Sequence, residues 1–145
     1  MSLLSRKPET TASRDMRAVA TQRSQLTHDV SVRAHHLTAD EPEEMGGADE
    51  GPSPQELLAA SLASCTAITM EMYAKRKGWN VDGLQVDARY TPAERGCPTR
   101  FDIVMHMPPH LTEEQVERLR VIAAKCPVHR TLEGEVAFDE RVELA

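Results

Sequence analysis

The chain has 145 residues, a length that suits one domain with its own core. A formal net charge of -6 and a pI near 5.5 leave no basic footprint for nucleic acid, and 3% aromatic residues leave no platform for base stacking. Much of the 40% hydrophobic share is alanine and methionine, so the core is poor in large rings and oligomer formation helps it bury enough area.

The opening stretch "MSLLSRKPETTASRDMR" lacks the apolar run of a signal peptide. Residues 1–15 are polar and rich in Ser, Thr, Arg and Pro, and read as a mobile tail before a single domain over 16–145. From Met16 to Thr38 the pattern is that of strands. In "VSVRA", Val30 and Val32 fall on one face, Ser31 and Arg33 on the other. Residues 40–54, "DEPEEMGGADEGPSP", are acidic and full of Gly and Pro, and form a loop.

Pro54 opens a helix that runs to about Lys77, with Ser53 as a suitable N-cap and Gln55 and Glu56 in the first turn. Three cations and Gly78 close it. No charge stands between Glu56 and Glu71, so the helix is expected to be buried on every side. Ala59, Ala63 and Ala67 form a small-residue ridge for another helix. The longest uncharged run, Leu57 to Met70, is too short to span a bilayer, and a cytoplasmic protein is expected.

"VDGLQVDARYT" and "TRFDIVMHM" alternate with period two and read as strands around a loop holding Gly96, Cys97 and Pro98. "LTEEQVERLRVIAAKC" is an amphipathic helix in which Thr112 and Gln115 have capping-box spacing. Val116, Leu119, Ala123 and Cys126 share its apolar face. Pro127 ends it and begins a shorter one. "EVAFDERVEL" reads as a terminal strand. The element order gives an α+β fold with a mainly antiparallel sheet.

Three cysteines in a chain without a secretory signal argue against a disulfide framework and toward thiol chemistry, metal binding or plain burial. Cys126 stands as N-cap of the turn "PVHRTL", where peptide N–H groups and Lys125, His129 and Arg130 favour a thiolate; equally, it suits a buried helix end. Cys65 sits mid-helix in apolar surroundings, where a thiol has a raised pKa and low reactivity unless an Arg or Glu arrives from another segment or subunit. Cys97 is an exposed loop residue. A metal module using Cys65, Cys126 and His129 has only one tight ligand pair, C-x-x-H, where zinc sites show two. There is no phosphate-cradling glycine motif and no G-x-S-x-G elbow, so no cofactor is indicated.

The stretches "DEP…GG…GPSPQELLAASLASCTAITMEMYAKRKGW" and "LTEEQVERLRVIAAKCPVHRTL" together resemble the OsmC/Ohr family, in its OsmC-like branch, over roughly residues 28–144. That resemblance implies central buried helices wrapped by mainly antiparallel sheets in an intertwined homodimer. It implies a peroxidatic cysteine at Cys65, a resolving cysteine at Cys126, and reduction of organic or fatty-acid hydroperoxides at the expense of an external thiol or dithiol. The family's catalytic Glu, ten residues before the reactive cysteine, is Gln55 here, with Glu56 next to it. One step along a helix turns a side chain by about 100°. For the family's catalytic Arg, from the N-terminal strands, Arg33 is the candidate. The alternative is a non-catalytic dimer that binds an apolar ligand in the same pocket. Neither reading needs nucleic acid or a membrane.

Overall fold

Val30 and Val32 alternate with polar neighbours in a computed structural model that describes residues 15–144, and the strand they build is the middle of a three-stranded meander. The tail expected over 1–15 lies, but for Asp15, outside the described residues. The chain divides into two compact units, one ending at Ser53 and one beginning at Pro54.

In the first unit β1 (Val19–Ser24), β2 (Thr27–Val32) and β3 (His35–Ala39) pair antiparallel, with Ala20 opposite Val30 and Val30 opposite Leu37. Two-residue turns join them, and each holds a non-glycine residue at positive φ: Gln25 at 52° and Arg33 at 54°. Arg33 is therefore a turn residue, not the strand residue that alternation suggested, because β2 ends at Val32. Arg23 ties this sheet to the acidic loop through Asp29, Glu50 and the Thr38 hydroxyl.

The acidic loop is ordered around buried Asp40. Its carboxylate accepts from the Thr27 hydroxyl at 2.8 Å and from the N–H groups of Glu41 and Glu50 at 2.7 and 3.2 Å. Burial pushes the Asp40 carboxyl up, but these hydrogen bonds outweigh it and hold the group below its ordinary value. A Cβ at Gly47 would stand 1.9 Å from the Glu41 carbonyl oxygen, so no larger residue fits there without moving backbone.

The second unit begins with α1 (Pro54–Lys77), followed by β4 (Gln85–Thr91), β5 (Arg100–His106), α2 (Glu113–Ala123) and α3 (Pro127–Glu133). The signals read for α1 operate at its C-terminal end. Lys75, Arg76 and Lys77 fill the last turn, and Gly78 has φ of 72°. The Gly78 N–H reaches Lys75 and the Trp79 N–H reaches Ala74, a Schellman closure. The Thr112–Gln115 capping box forms with both hydrogen bonds, at 3.1 and 2.9 Å. β4 and β5 pair antiparallel, Ala88 opposite Ile103.

The core joins Met70, Tyr73 and Ala74 of α1 to Leu119, Ile122 and Ala123 of α2, with Trp79 stacked edge-on against Tyr73. Arg118 donates to the Tyr73 hydroxyl at 2.9 Å.

Two expectations are corrected. Within one chain α1 is not buried on every side: its buried stripe is Leu62, Thr66, Met70, Tyr73 and Ala74, while Ile68 and Met72 are 52% and 65% exposed. Within the described residues α1 packs against β4, α2 and α3, and the face carrying Ile68 and Met72 is left to solvent. The terminal strand also does not form. Residues 135–144 carry no strand pairing, and Phe138, Val142 and Leu144 are exposed, because no edge is paired with them in the chain. At 24 residues, α1 outruns the uncharged stretch inside it. By length and composition alone it is long and apolar enough to cross a membrane, a test that the core helix of a soluble protein also passes.

Candidate active site

Two helices bring Cys65 and Cys126 together. Cys65 lies midway along α1, where the Thr69 hydroxyl caps its carbonyl oxygen at 2.7 Å. Cys126 stands where α2 has ended and α3 begins. Pro127 cannot continue a helix through its own nitrogen but fits the first position of a new one, so the chain turns at Cys126. The Cys126 sulfur then caps α3, accepting from the His129 N–H at 3.4 Å, and its carbonyl accepts from the Arg130 N–H at 3.1 Å.

The two thiols are close enough for Cys126 to influence the ionisation of Cys65, and neither is in a disulfide. Cys126 is fully buried and Cys65 half-buried. Burial pushes the Cys65 thiol up, and the hydrogen bond to the Cys126 thiol pushes it further. The Val128 N–H and the Thr69 hydroxyl oppose this without overcoming it. The raised pKa expected for a mid-helix thiol is thus present. The polar help that the sequence reading sought from an Arg or Glu comes, within this unit, from a peptide N–H of α3. That donor has no side-chain signature and was not legible beforehand.

A cavity of about 450 Å³ is lined by Leu62, three residues before Cys65, and His129, three residues after Cys126, with Thr99, Phe101, Ile103, Leu132 and Glu133; neither thiol is among its lining residues. It is mainly apolar. Phe101 and Ile103 belong to the half-buried face of β5, which period-two alternation marks, although alternation does not say that the face borders a cavity. His129 Nε2 lies 2.8 Å from Glu133 Oε1.

Three further candidates are Arg33, Glu56 and Cys97. Arg33 is exposed on the β2–β3 turn of the first unit. Glu56 is in the first turn of α1, nine positions before Cys65, which places it about 13 Å along the axis from that thiol at 1.5 Å per residue. Cys97 is exposed in a turn where Glu94 and Cys97 exchange backbone hydrogen bonds. Among the described residues no group of three His, Cys, Asp or Glu side chains is arranged to hold a metal ion.

Comparison with known proteins bears on the family and the fold in which these two thiols sit. A family model described as OsmC-like protein matches residues 46–141, and the chain belongs to that family. An uncharacterised protein of Acinetobacter baylyi is 25% identical over 101 residues, covering 68% of this chain and 71% of the relative. The crystal structure of an OsmC-like protein from Mycoplasma pneumoniae superposes with a TM-score of 0.71 at 17% identity, over 85% of this chain and 90% of that one. An organic hydroperoxide resistance protein, OsmC, from Legionella pneumophila gives 0.63 at 19%, over 85% and 92%. At these identities the structures establish the shared α+β fold, with its central helix and antiparallel sheets.

Proposed function

We propose that the protein is a thiol-dependent peroxidase for organic hydroperoxides, including those of fatty acids. The observation that carries this reading is the neighbouring pair Cys65 and Cys126 on helices that also line a mainly apolar cavity. Cys65 as thiolate attacks the distal peroxide oxygen; the O–O bond breaks, the alkoxide leaves and takes a proton as an alcohol, and Cys65 becomes a sulfenic acid. Cys126 condenses with it to a disulfide, with loss of water. An external thiol or dithiol then reduces the disulfide by exchange. The apolar lining favours alkyl tails over hydrogen peroxide.

The working form in this proposal is a homodimer in a reducing, cytoplasmic setting. The exposed stripe of α1 through Ile68 and Met72 gives a second α1 a face to pack on. Residues 135–144 supply a strand, with Val136, Phe138, Val142 and Leu144 on one side, for an edge of the other subunit. Arg33 and Glu56 are proposed to serve a thiol across that interface, Arg33 favouring the Cys65 thiolate that burial opposes.

The test is consumption of cumene hydroperoxide against hydrogen peroxide with a dithiol reductant supplied. Preferential turnover of the organic peroxide is expected. No turnover, with both thiols still reduced, sinks the enzyme reading. A second reading, an apolar-ligand-binding dimer without catalysis, draws on the raised Cys65 pKa together with the cavity. Saturable binding of a fatty acid without peroxide consumption would favour it.

A further inference from the structure

The peroxidase reading leaves the His129–Glu133 pair unused. Glu133 as a carboxylate only accepts hydrogen bonds, so the 2.8 Å contact requires that His129 Nε2 carry the hydrogen and donate. With Nε2 so engaged, Nδ1 is the ring nitrogen left to take a proton. His129 is tied to the same thiol from its other end, since its backbone N–H donates to the Cys126 sulfur at 3.4 Å. It stands three residues after the N-cap cysteine, one helical turn away along α3.

We propose that His129 is the proton carrier for the Cys126 half-reaction, with Glu133 as the positioning residue that fixes its tautomer. Nδ1 takes the Cys126 thiol proton, directly or through one water, as the Cys126 sulfur attacks the Cys65 sulfur. In the peroxide cycle, on which this role rests for its natural oxidant, the S–H bond of Cys126 breaks and its electron pair forms the S–S bond. The S–O bond of the Cys65 sulfenic acid breaks with its pair leaving on oxygen, and the proton from Nδ1 completes a water molecule. The oxidation carried by one sulfur ends shared between two, so no outside electron enters.

The surroundings isolate this function to few groups. Leu62 of α1 and Thr99, Phe101 and Ile103 of the β5 side line the cavity without an ionisable side chain. Glu133 and Arg130 are on the same helix as His129, with Cys126 at its start and Cys65 next to Cys126 on α1.

The experiment avoids peroxide, so that its outcome is separable from the peroxidase reading. In a Cys97→Ser background, the reduced full-length protein is mixed with an aromatic disulfide reagent that releases a yellow thiolate. Cys65, the more accessible of the pair, takes the first equivalent as a mixed disulfide; release of the second reports attack by Cys126. His129→Gln is expected to slow the second release by about 100-fold, the low end for general-base catalysis, and to remove one ionisation from its pH profile. Glu133→Gln keeps an acceptor oxygen and should retain most of the rate, whereas Glu133→Leu should fall toward His129→Gln. Parent-like closure in both His129→Gln and Glu133→Leu, with an unchanged pH profile, overturns the assignment, as does failure of Cys65 to take up the reagent. If closure behaves as expected but a hydroperoxide leaves no sulfenic acid for dimedone to trap, the peroxidase reading fails and the His129 role stands for disulfide exchange.

Discussion

The thiol of Cys65, in the middle of α1, and the thiol of Cys126, at the start of α3, are neighbours that influence each other's ionisation, and the second is completely buried. Both are free thiols. A disulfide between them would need their Cα atoms within about 7 Å.

Peroxide chemistry divides unequally between them. Cys65→Ser should abolish turnover of cumene hydroperoxide. Cys126→Ser should permit one turnover and then drive Cys65 to the sulfinic acid, since nothing condenses with the sulfenic acid. Cys97→Ser should change neither, because that thiol is exposed in its own turn. Intact-mass spectrometry after stepwise peroxide addition checks all three. Loss of activity in Cys97→Ser alone would require a different assignment of the thiols.

The raised Cys65 pKa also sets the alkaline limb of stability. A thiol whose pKa is higher folded than unfolded contributes its full share below the unfolded value, near 9.0, and loses it as pH rises from there through the folded value. Denaturant midpoints should accordingly fall as pH rises above about 9 in the reduced protein, and fall less in Cys65→Ser. Equal slopes for the two proteins would remove Cys65 as the cause.

Association should depend on the last residues. Phe138→Asp with Val142→Asp places charges on the apolar side of residues 135–144 and should give a monomer by light scattering at micromolar concentration. An interface of the intertwined kind buries more than about 2,000 Å², too much to survive loss of its terminal strand unweakened. A dimer that persists in the double variant would mean that α1 alone carries the contact.

Thr66 offers a change in the opposite direction. Its hydroxyl is buried among the described residues with no hydrogen-bond partner in the chain, next in sequence to Cys65. Thr66→Val keeps the shape and removes the unpaired group, and should stabilise the fold by about 1 kcal/mol. Leu119→Ala, in the fully buried core, should cost about 3 kcal/mol. Thermal unfolding of both variants gives the comparison. If Thr66→Val destabilises, the hydroxyl has a partner in the assembled protein.

What the sequence determined by itself is what local forces settle. Thr112 and Gln115 cap α2 because their side chains reach backbone groups within one turn. Pro127 places Cys126 at the start of α3 because proline lacks an N–H and has a fixed φ. Gly78 ends α1 because it takes a positive φ without strain. The two thiols were separately visible for the same reason, and only resemblance to a family joined them. Their closeness, the Val128 N–H at the Cys65 sulfur and the apolar cavity lined by the same helices depend on how α1, β5 and α3 come together, which is set by non-local burial rather than by any residue's neighbours in the chain. Burial also decided the two failures of local reading. α1 has apolar residues all round and residues 135–144 alternate like a strand, but an apolar face is covered, and a strand is paired, only where a partner surface exists.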